Sequence, residues 1–364
     1  MASIRKRSAE DGGGYQVRYY GPDGRSRART FAKKGEAVDF ANSVQTDMTR
    51  GDWIDPAASA TPLNDYIGRY MDTMLHWRPS TRLKVQGHLR NYIEPAFGTW
   101  SIGEISPADV RRWVGALTSH GLAPGTVHAV YTTFQRIMKH AVIDNHISRS
   151  PCIGISLPKD TNHEEMRFLS PSEITLLADA VPERFKALIY TAAYTGLRWG
   201  ELAGLRVENL DLLKGAIDVR ESLVEVNGTL HPGSTKTGAR RTVSLPKFLR
   251  QMLTEHIEGF PPVDGLVFTS AEGGPLRRNF YGRHFKPCLV AAGLDPNLRF
   301  HDLRHTCAAL LIAQGAHPKE IQERLGHSTI RMTFDRYGHL FPTLDDRLRD
   351  GLDRLFEEGL NASG

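Results

Sequence analysis

The residues with the most chemical capacity sit close together near the end of the chain. The stretch FHDLRHT carries His301, Arg304 and His305, LGHS carries His327, and DRYGH carries Tyr337. In a helix, His301 and Arg304 share a face at i,i+3 spacing. His301 and His305, at i,i+4, raise the possibility of a metal pair. There is no HExxH and no third ligand at the usual spacing, and the Arg304 guanidinium would repel a cation. An arginine suits an anion, held by two parallel hydrogen bonds. His327 precedes Ser328, read as a helix N-cap, so it stands where helix N–H groups also point outward. Tyr337 falls near the end of that last helix.

Two further motifs belong to the same third of the chain. In YTGLRWGELAGL, Gly196 ends one helix, Arg198 begins the next, and Glu201 follows one turn on. Glu201 can hold the Arg198 guanidinium or orient a neighbouring histidine; a surface ion pair is the plainer alternative. In HPGSTKTGARRTVSLP, Lys236 lies in a Gly-rich turn between strands. Such a lysine is usually solvated, but a loop tip can also deliver an ammonium into a cleft.

The elements that must position these groups divide the chain into segments. Residues 1–56 read as three short strands, separated by DGGG and GPDGR turns, and one helix. That helix carries Ala37, Phe40, Ala41, Val44 and Met48 at helical spacing and ends near Gly51. In RSRARTF, Arg25, Arg27 and Arg29 alternate, so they share one face of a strand, and Arg18 and Tyr20 repeat the pattern in the strand before. The expectation is an arginine-rich outer face, either solvated or laid in a DNA major groove.

Residues 61–159 read as all-helical, with Thr61 as N-cap before Pro62, a second helix from Ser80, Ser106 capping a third, and a long fourth helix. Trp77, Trp100 and Trp113 read as core. Lys84, with Arg82, Arg90, Arg136 and Lys139, could touch phosphates or simply be solvated. The stretch SPCIGISLPKDTNHEEM reads as a linker. Residues 165–342 are mixed, mainly α, with short strands AIDV, SLVEV and RRTVSLP. In residues 343–364, Leu344, Leu348, Leu352 and Leu355 recur at helical spacing, as in an amphipathic tail helix.

Composition narrows the class. The 364 residues carry a formal charge of +5 and a pI near 9.1, which suggests an anionic partner such as nucleic acid. The three scattered cysteines form no CxxC pair and argue for reduced thiols in a cytoplasmic setting. No run approaches the ~18 apolar residues of a membrane span, and no signal peptide opens the chain. No GxGxxG or P-loop implies a nucleotide cofactor.

TGLRWGEL, STKTGARRTVSLP, HDLRHT, LGHS and DRYGH, in this order, resemble the catalytic signature of the tyrosine recombinase (phage integrase) family over residues ~165–342. The helical segment resembles that family's core-type, SAM-like DNA-binding domain, and the N-terminal sheet its arm-type domain. The resemblance implies an α+β multidomain chain ending in a DNA breaking-rejoining fold. It implies a site-specific recombinase that integrates and excises the DNA of a phage or integrative element, with no metal or cofactor. By position it assigns Arg198, Lys236, His301, Arg304, His327 and Tyr337 as the catalytic set, with Glu201, His305 and His339 in support. Arg198 and Arg304 would clamp a scissile phosphate, with His327 as a further donor. Tyr337 would attack phosphorus to leave a 3′-phosphotyrosine, with His301 as candidate general base and Lys236 as general acid. The partners implied are double-stranded DNA with core and arm sites, a homotetramer on that DNA, a host DNA-bending protein and an excision factor. A type IB topoisomerase-like enzyme and a DNA-binding regulator on an integrase scaffold are the alternatives.

Overall fold

The computed structural model describes residues 2–8, 12–159, 166–234, 240–341 and 344–361. The chain forms two compact units that divide between residues 163 and 164.

In the first unit, strands β1 (Ser3–Lys6), β2 (Tyr15–Tyr20) and β3 (Ser26–Phe31) form an antiparallel sheet in that order, followed by helix α1 (Lys34–Arg50). Val17 and Tyr19 of β2 pack on Ala37, Ala41 and Val44 of α1 as a small core. Gly51 closes α1 in the left-handed conformation (φ 77°), as its position after the last apolar residue suggested.

The register corrects the expected arginine face. Residues paired directly across an antiparallel ladder point to the same side of the sheet. Arg27 pairs with Tyr19 and Arg29 with Val17, so both arginines turn toward the helix side, whereas Arg18 pairs with Ala28 on the opposite face. Arg29 lies over the rings of Phe31 and Phe40 at 5.2 and 5.1 Å. Arg27 lies 4.7 Å from the Trp53 ring centroid and is hydrogen-bonded to Asp23 and Asp55. Arg25 stands in the turn before β3, and Arg18 and Tyr20 are exposed on the outer face.

The rest of this unit is helical: α2 (Pro56–Ser59), α3 (Leu63–Thr73), α4 (Pro79–His88), α5 (Glu94–Phe97), α6 (Pro107–Ser119) and α7 (Pro124–Ile143). The start of α3 differs from the sequence reading. Pro62, not Thr61, holds the N-cap position, because Leu63 N–H is already bonded to the Trp100 carbonyl. Ser106 and Asp109 form the reciprocal cap of α6. A π-helical turn, Leu89–Ile93, precedes Pro95, and another, Tyr281–Phe285, precedes Pro287. A proline inside a helix removes an N–H and clashes with the carbonyl four residues back; a widened turn accommodates both. Trp113 is buried and Trp77 half-buried, but Trp100 is 39% exposed, which corrects its reading as core. Part of the expected linker belongs to this core: Cys152 is buried, its carbonyl accepts a bond from Tyr131, and Ile155 and Leu157 pack alongside.

The second unit runs α8 (Pro171–Ala180), α9 (Glu183–Thr195), α10 (Trp199–Ala203), β4 (Leu210–Asp211), β5 (Ala216–Val219), β6 (Glu221–Val226), β7 (Thr229–Ser234), β8 (Arg241–Ser244) and α11 (Lys247–Gly259). It ends with α12 (Lys286–Ala291), α13 (Asp302–Ala313), α14 (Pro318–Leu325), α15 (Ile330–Tyr337) and α16 (Leu344–Asn361). The sheet order is β4-β5-β8, with β6 and β7 as a separate hairpin. β7 was missed in the sequence reading. Its signal is the Asn227-Gly228 pair, both at positive φ (50° and 75°), which closes a two-residue hairpin. Ser170 and Glu173 form a reciprocal capping box at the start of α8. The helix after LGHS begins at Ile330 with Thr329, not Ser328, in the cap position. The apolar core centres on α9, flanked by α8, α11 and α13.

Candidate active site

α13 starts at Asp302, so His301 stands at its mouth while Arg304 and His305 are buried on its first turns. α14 ends at Gly326 in the left-handed conformation, with His327 N–H bonded back to the Gln322 carbonyl; this turn swings His327 toward α13. α15 then delivers Tyr337 from its last position, fully buried. A cavity of about 490 Å³ results, lined by Arg198, His301, Arg304, His305, His327 and Tyr337, with Ser328, Met332 and Arg336 at its wall.

The tyrosine is held closely. Its hydroxyl lies 2.7 Å from His305 Nδ1, and its ring stacks on His327 at 6.3 Å and 12°. His327 Nδ1 is 2.9 Å from Thr333 Oγ1, a buried residue that fixes the ring's orientation. The His301 ring meets His305 edge-on at 5.0 Å. Glu201, named as a support, is inside the network. His339 is exposed and outside the cavity.

The arginines are fixed by backbone carbonyls. Arg304 donates Nη1 to the Gly196 carbonyl and Nη2 to the Leu325 carbonyl, both at 2.6 Å. Arg198 donates Nη1 to Glu201 Oε1 (2.9 Å) and Nη2 to the Gly326 carbonyl (2.9 Å). Each therefore commits two of a guanidinium's five donors to protein acceptors. Gly196 sits at φ 67°, which L side chains rarely adopt, and a Cβ there would stand 2.4 Å from Leu325 Cδ2 and 3.2 Å from Cys307 Sγ, so any side chain at this corner is strained and displaces its neighbours. A residue that the sequence reading passed over completes the frame. Arg241, the first residue of β8, donates Nη1 and Nη2 to Glu201 at 3.0 and 2.7 Å and Nε to the Arg324 carbonyl at 2.9 Å. Its only signal was its place in the ARRTVSLP strand.

The electrostatics follow from burial beside cations. Burial, then the charges of Arg304 and Arg198, push His327 down to about 4, and burial pushes His305 to about 4. Burial raises the Tyr337 phenol to about 12 against the pull of Arg304 and Arg336. Burial and the Arg198 charge also press down on the Arg304 guanidinium. Burial alone would lift the Glu201 carboxyl, but the Arg241 hydrogen bonds and charge hold it below the ordinary range. The cavity thus contains neutral imidazoles, a protonated phenol and crowded cations, an arrangement relieved by an entering anion.

Lys236 lies outside the described residues. Lys84 lines a different groove in the first unit, of about 600 Å³, with Ser80, Thr81, His128, Thr132 and Arg136. Among the described residues, no group of three or more His, Cys, Asp or Glu could hold a metal ion, and no helix is long and apolar enough to cross a membrane.

Residues 167–343 match the Phage integrase family, and residues 63–118 match the Phage integrase, N-terminal SAM-like domain. A prophage phiRv2 integrase of Mycobacterium tuberculosis is 30% identical over 355 residues, covering 95% of this chain and 94% of that protein. Among solved structures, the Tn1549 transposon integrase in complex with transposon right end DNA has a TM-score of 0.71 at 22% identity, over 81% of this chain and 99% of the other. A lambda integrase tetramer bound to a Holliday junction has a TM-score of 0.60 at 17% identity, over 90% and 95%. The fold, the cavity and these likenesses define a tyrosine site-specific recombinase of mixed α+β architecture. The chain belongs to the phage integrase family.

Proposed function

We propose that the protein cuts and rejoins DNA at attachment sites through Tyr337, integrating and excising a mobile element. The observation that carries this reading is the cavity in which the Tyr337 hydroxyl, His305 Nδ1 at 2.7 Å, His327, Arg198 and Arg304 converge. Arg198 and Arg304 grip the non-bridging oxygens of the scissile phosphate, where negative charge grows in the transition state, and His327 adds a donor. With its own proton on Nε2, His305 receives the phenol proton at Nδ1 as Tyr337 attacks phosphorus. His301, whose ring meets that of His305 edge-on, supports His305 rather than acting on the phenol itself. The P–O5′ bond breaks and the leaving 5′-oxygen takes a proton from Lys236. A 3′-phosphotyrosine remains, and a 5′-hydroxyl from another strand reverses the step.

The groove at Lys84 and Arg136 holds the DNA backbone of the core site, and the outer face carrying Arg18 and Tyr20, with Arg25 beside it, holds arm-site DNA. In keeping with the lambda integrase tetramer, four copies assemble on DNA. A host DNA-bending protein and an excision factor set direction, and the work is done on nucleoid DNA in the cytoplasm.

Covalent trapping tests the reading. The protein is mixed with nicked duplexes spanning the junctions of its own element, and compared with Tyr337→Phe on a denaturing gel. An SDS-stable, chelator-insensitive adduct lost in Tyr337→Phe is the expected result, and its sequence identifies the core site. Specific binding without an adduct at any junction would instead fit a regulator on an integrase scaffold.

A further inference from the structure

We propose that Arg241 is a positioning residue for the phosphate clamp, acting on Arg198 through the buried carboxylate that they share. The last carbonyls of a helix have no partner within it and must be satisfied from outside. At the end of α14, three successive carbonyls are each taken by a different arginine. The Arg324 carbonyl accepts from Arg241, the Leu325 carbonyl from Arg304 and the Gly326 carbonyl from Arg198. The negative end of the α14 dipole thereby gathers three cations at one point, immediately before His327.

Within this cluster the arginines are not equivalent. Arg198 and Arg304 line the cavity; Arg241 does not. Arg241 uses all three of its nitrogens on protein acceptors. Glu201, only 2% exposed, receives two bonds from Arg241 and two from Arg198, the latter from its backbone N–H and from Nη1. A buried carboxylate held on one side only would be free to rotate and would also be poorly neutralised. Arg241 supplies the other side. It sets the plane of the Glu201 carboxylate, and that plane sets where the Arg198 fork points. Lysine in its place can offer a point charge but not a bidentate bond to Glu201 together with a third bond to the Arg324 carbonyl.

The inference rests on the reading of Arg198 as a phosphate clamp, and the test separates the two. Single-turnover cleavage is measured on a nicked core-site duplex with either a normal scissile phosphate or a methylphosphonate, which is neutral and gives the clamp less charge to stabilise. Arg241→Lys and Arg241→Gln are compared with Arg198→Ala, each after a thermal melt confirms a folded chain. The expected result is that both Arg241 variants slow cleavage of the phosphodiester ~10- to 100-fold and of the methylphosphonate less than about threefold, the same selectivity as Arg198→Ala. Equal slowing on both substrates, or no slowing, while Arg198→Ala remains selective would overturn the role of Arg241. If Arg198→Ala itself shows no selectivity, the clamp reading fails and this inference with it.

Discussion

The imidazole of His305 stands 2.7 Å from the Tyr337 hydroxyl, and the His301 ring meets that imidazole edge-on at 5.0 Å. The sequence reading took His301 as the candidate general base and His305 as support; the contact with the phenol favours His305 for that proposed role. Replacing His305 by Gln is expected to slow first-strand cleavage by ~10²- to 10⁴-fold, the usual worth of a positioned general base. Replacing His301 by Gln should cost less. Single-turnover rates on a nicked substrate check the order, and a larger loss at His301 would sink the assignment.

The histidines also make a pH prediction. His305 and His327 are held at about 4 in the folded chain, against ~6.5 unfolded. Between these values the unfolded chain binds more protons, so stability rises with pH there. The contribution is complete above ~6.5 and is lost as pH falls toward 4. The melting temperature should drop over that window, and NMR titration should find both rings neutral at pH 6. A bound phosphate should raise the His327 pKa, since an anion favours its charged form. A His327 that titrates near 6.5 without DNA contradicts the burial argument.

Gly196→Ala tests the corner that holds Arg304. The substitution places a Cβ 2.4 Å from Leu325 Cδ2 at a φ of 67°. Left-handed strain and overpacking each cost about 1–2 kcal/mol, so a loss of ~2–4 kcal/mol in denaturant unfolding is expected. Unchanged stability would mean that the α9–α13–α14 junction is looser than described.

In the N-terminal sheet, register separates two groups of basic residues. Arg18→Ala with Tyr20→Ala should weaken arm-site binding and reduce the salt dependence of affinity by about one counterion for a lost phosphate contact. Arg27→Ala should mainly lower the stability of the sheet, because Arg27 ties Asp23, Asp55 and Trp53 together. Binding titrations at several salt concentrations, beside thermal melts, distinguish the two. The assignment of faces fails if Arg27→Ala lowers arm-site affinity while leaving the melt unchanged.

The tail helix α16 leaves Leu352, Leu355 and Phe356 exposed at 65%, 65% and 69%. Apolar side chains in such a row are expected to be covered in the assembly. Deleting residues after Phe341 should therefore abolish tetramers on DNA, as read by mass photometry, while single-site binding persists. Intact tetramers from the truncated protein would rule the tail out as the assembly contact.

Local rules made much of this protein legible. Tyr337, His327 and the HxxR pair could be named because their spacing is short and their chemistry distinctive. The caps at Ser106–Asp109 and Ser170–Glu173 could be named because a capping box closes within four residues. The Asn227-Gly228 hairpin was equally readable and was missed. Other features had no local signal. Strand alternation says that Arg27 and Arg29 share a side but not which one; only pairing with Tyr19 and Val17 turns them toward α1. His305 and Tyr337 are 32 residues apart, Arg241 and Glu201 40, and Arg198 and the Gly326 carbonyl 128. The sequence by itself determined which groups were available and the short helices and strands that carry them. Tertiary structure alone decided which imidazole reaches the phenol and which arginine shares Glu201 with Arg198, because those contacts depend on where packing brings the end of one helix against the start of another.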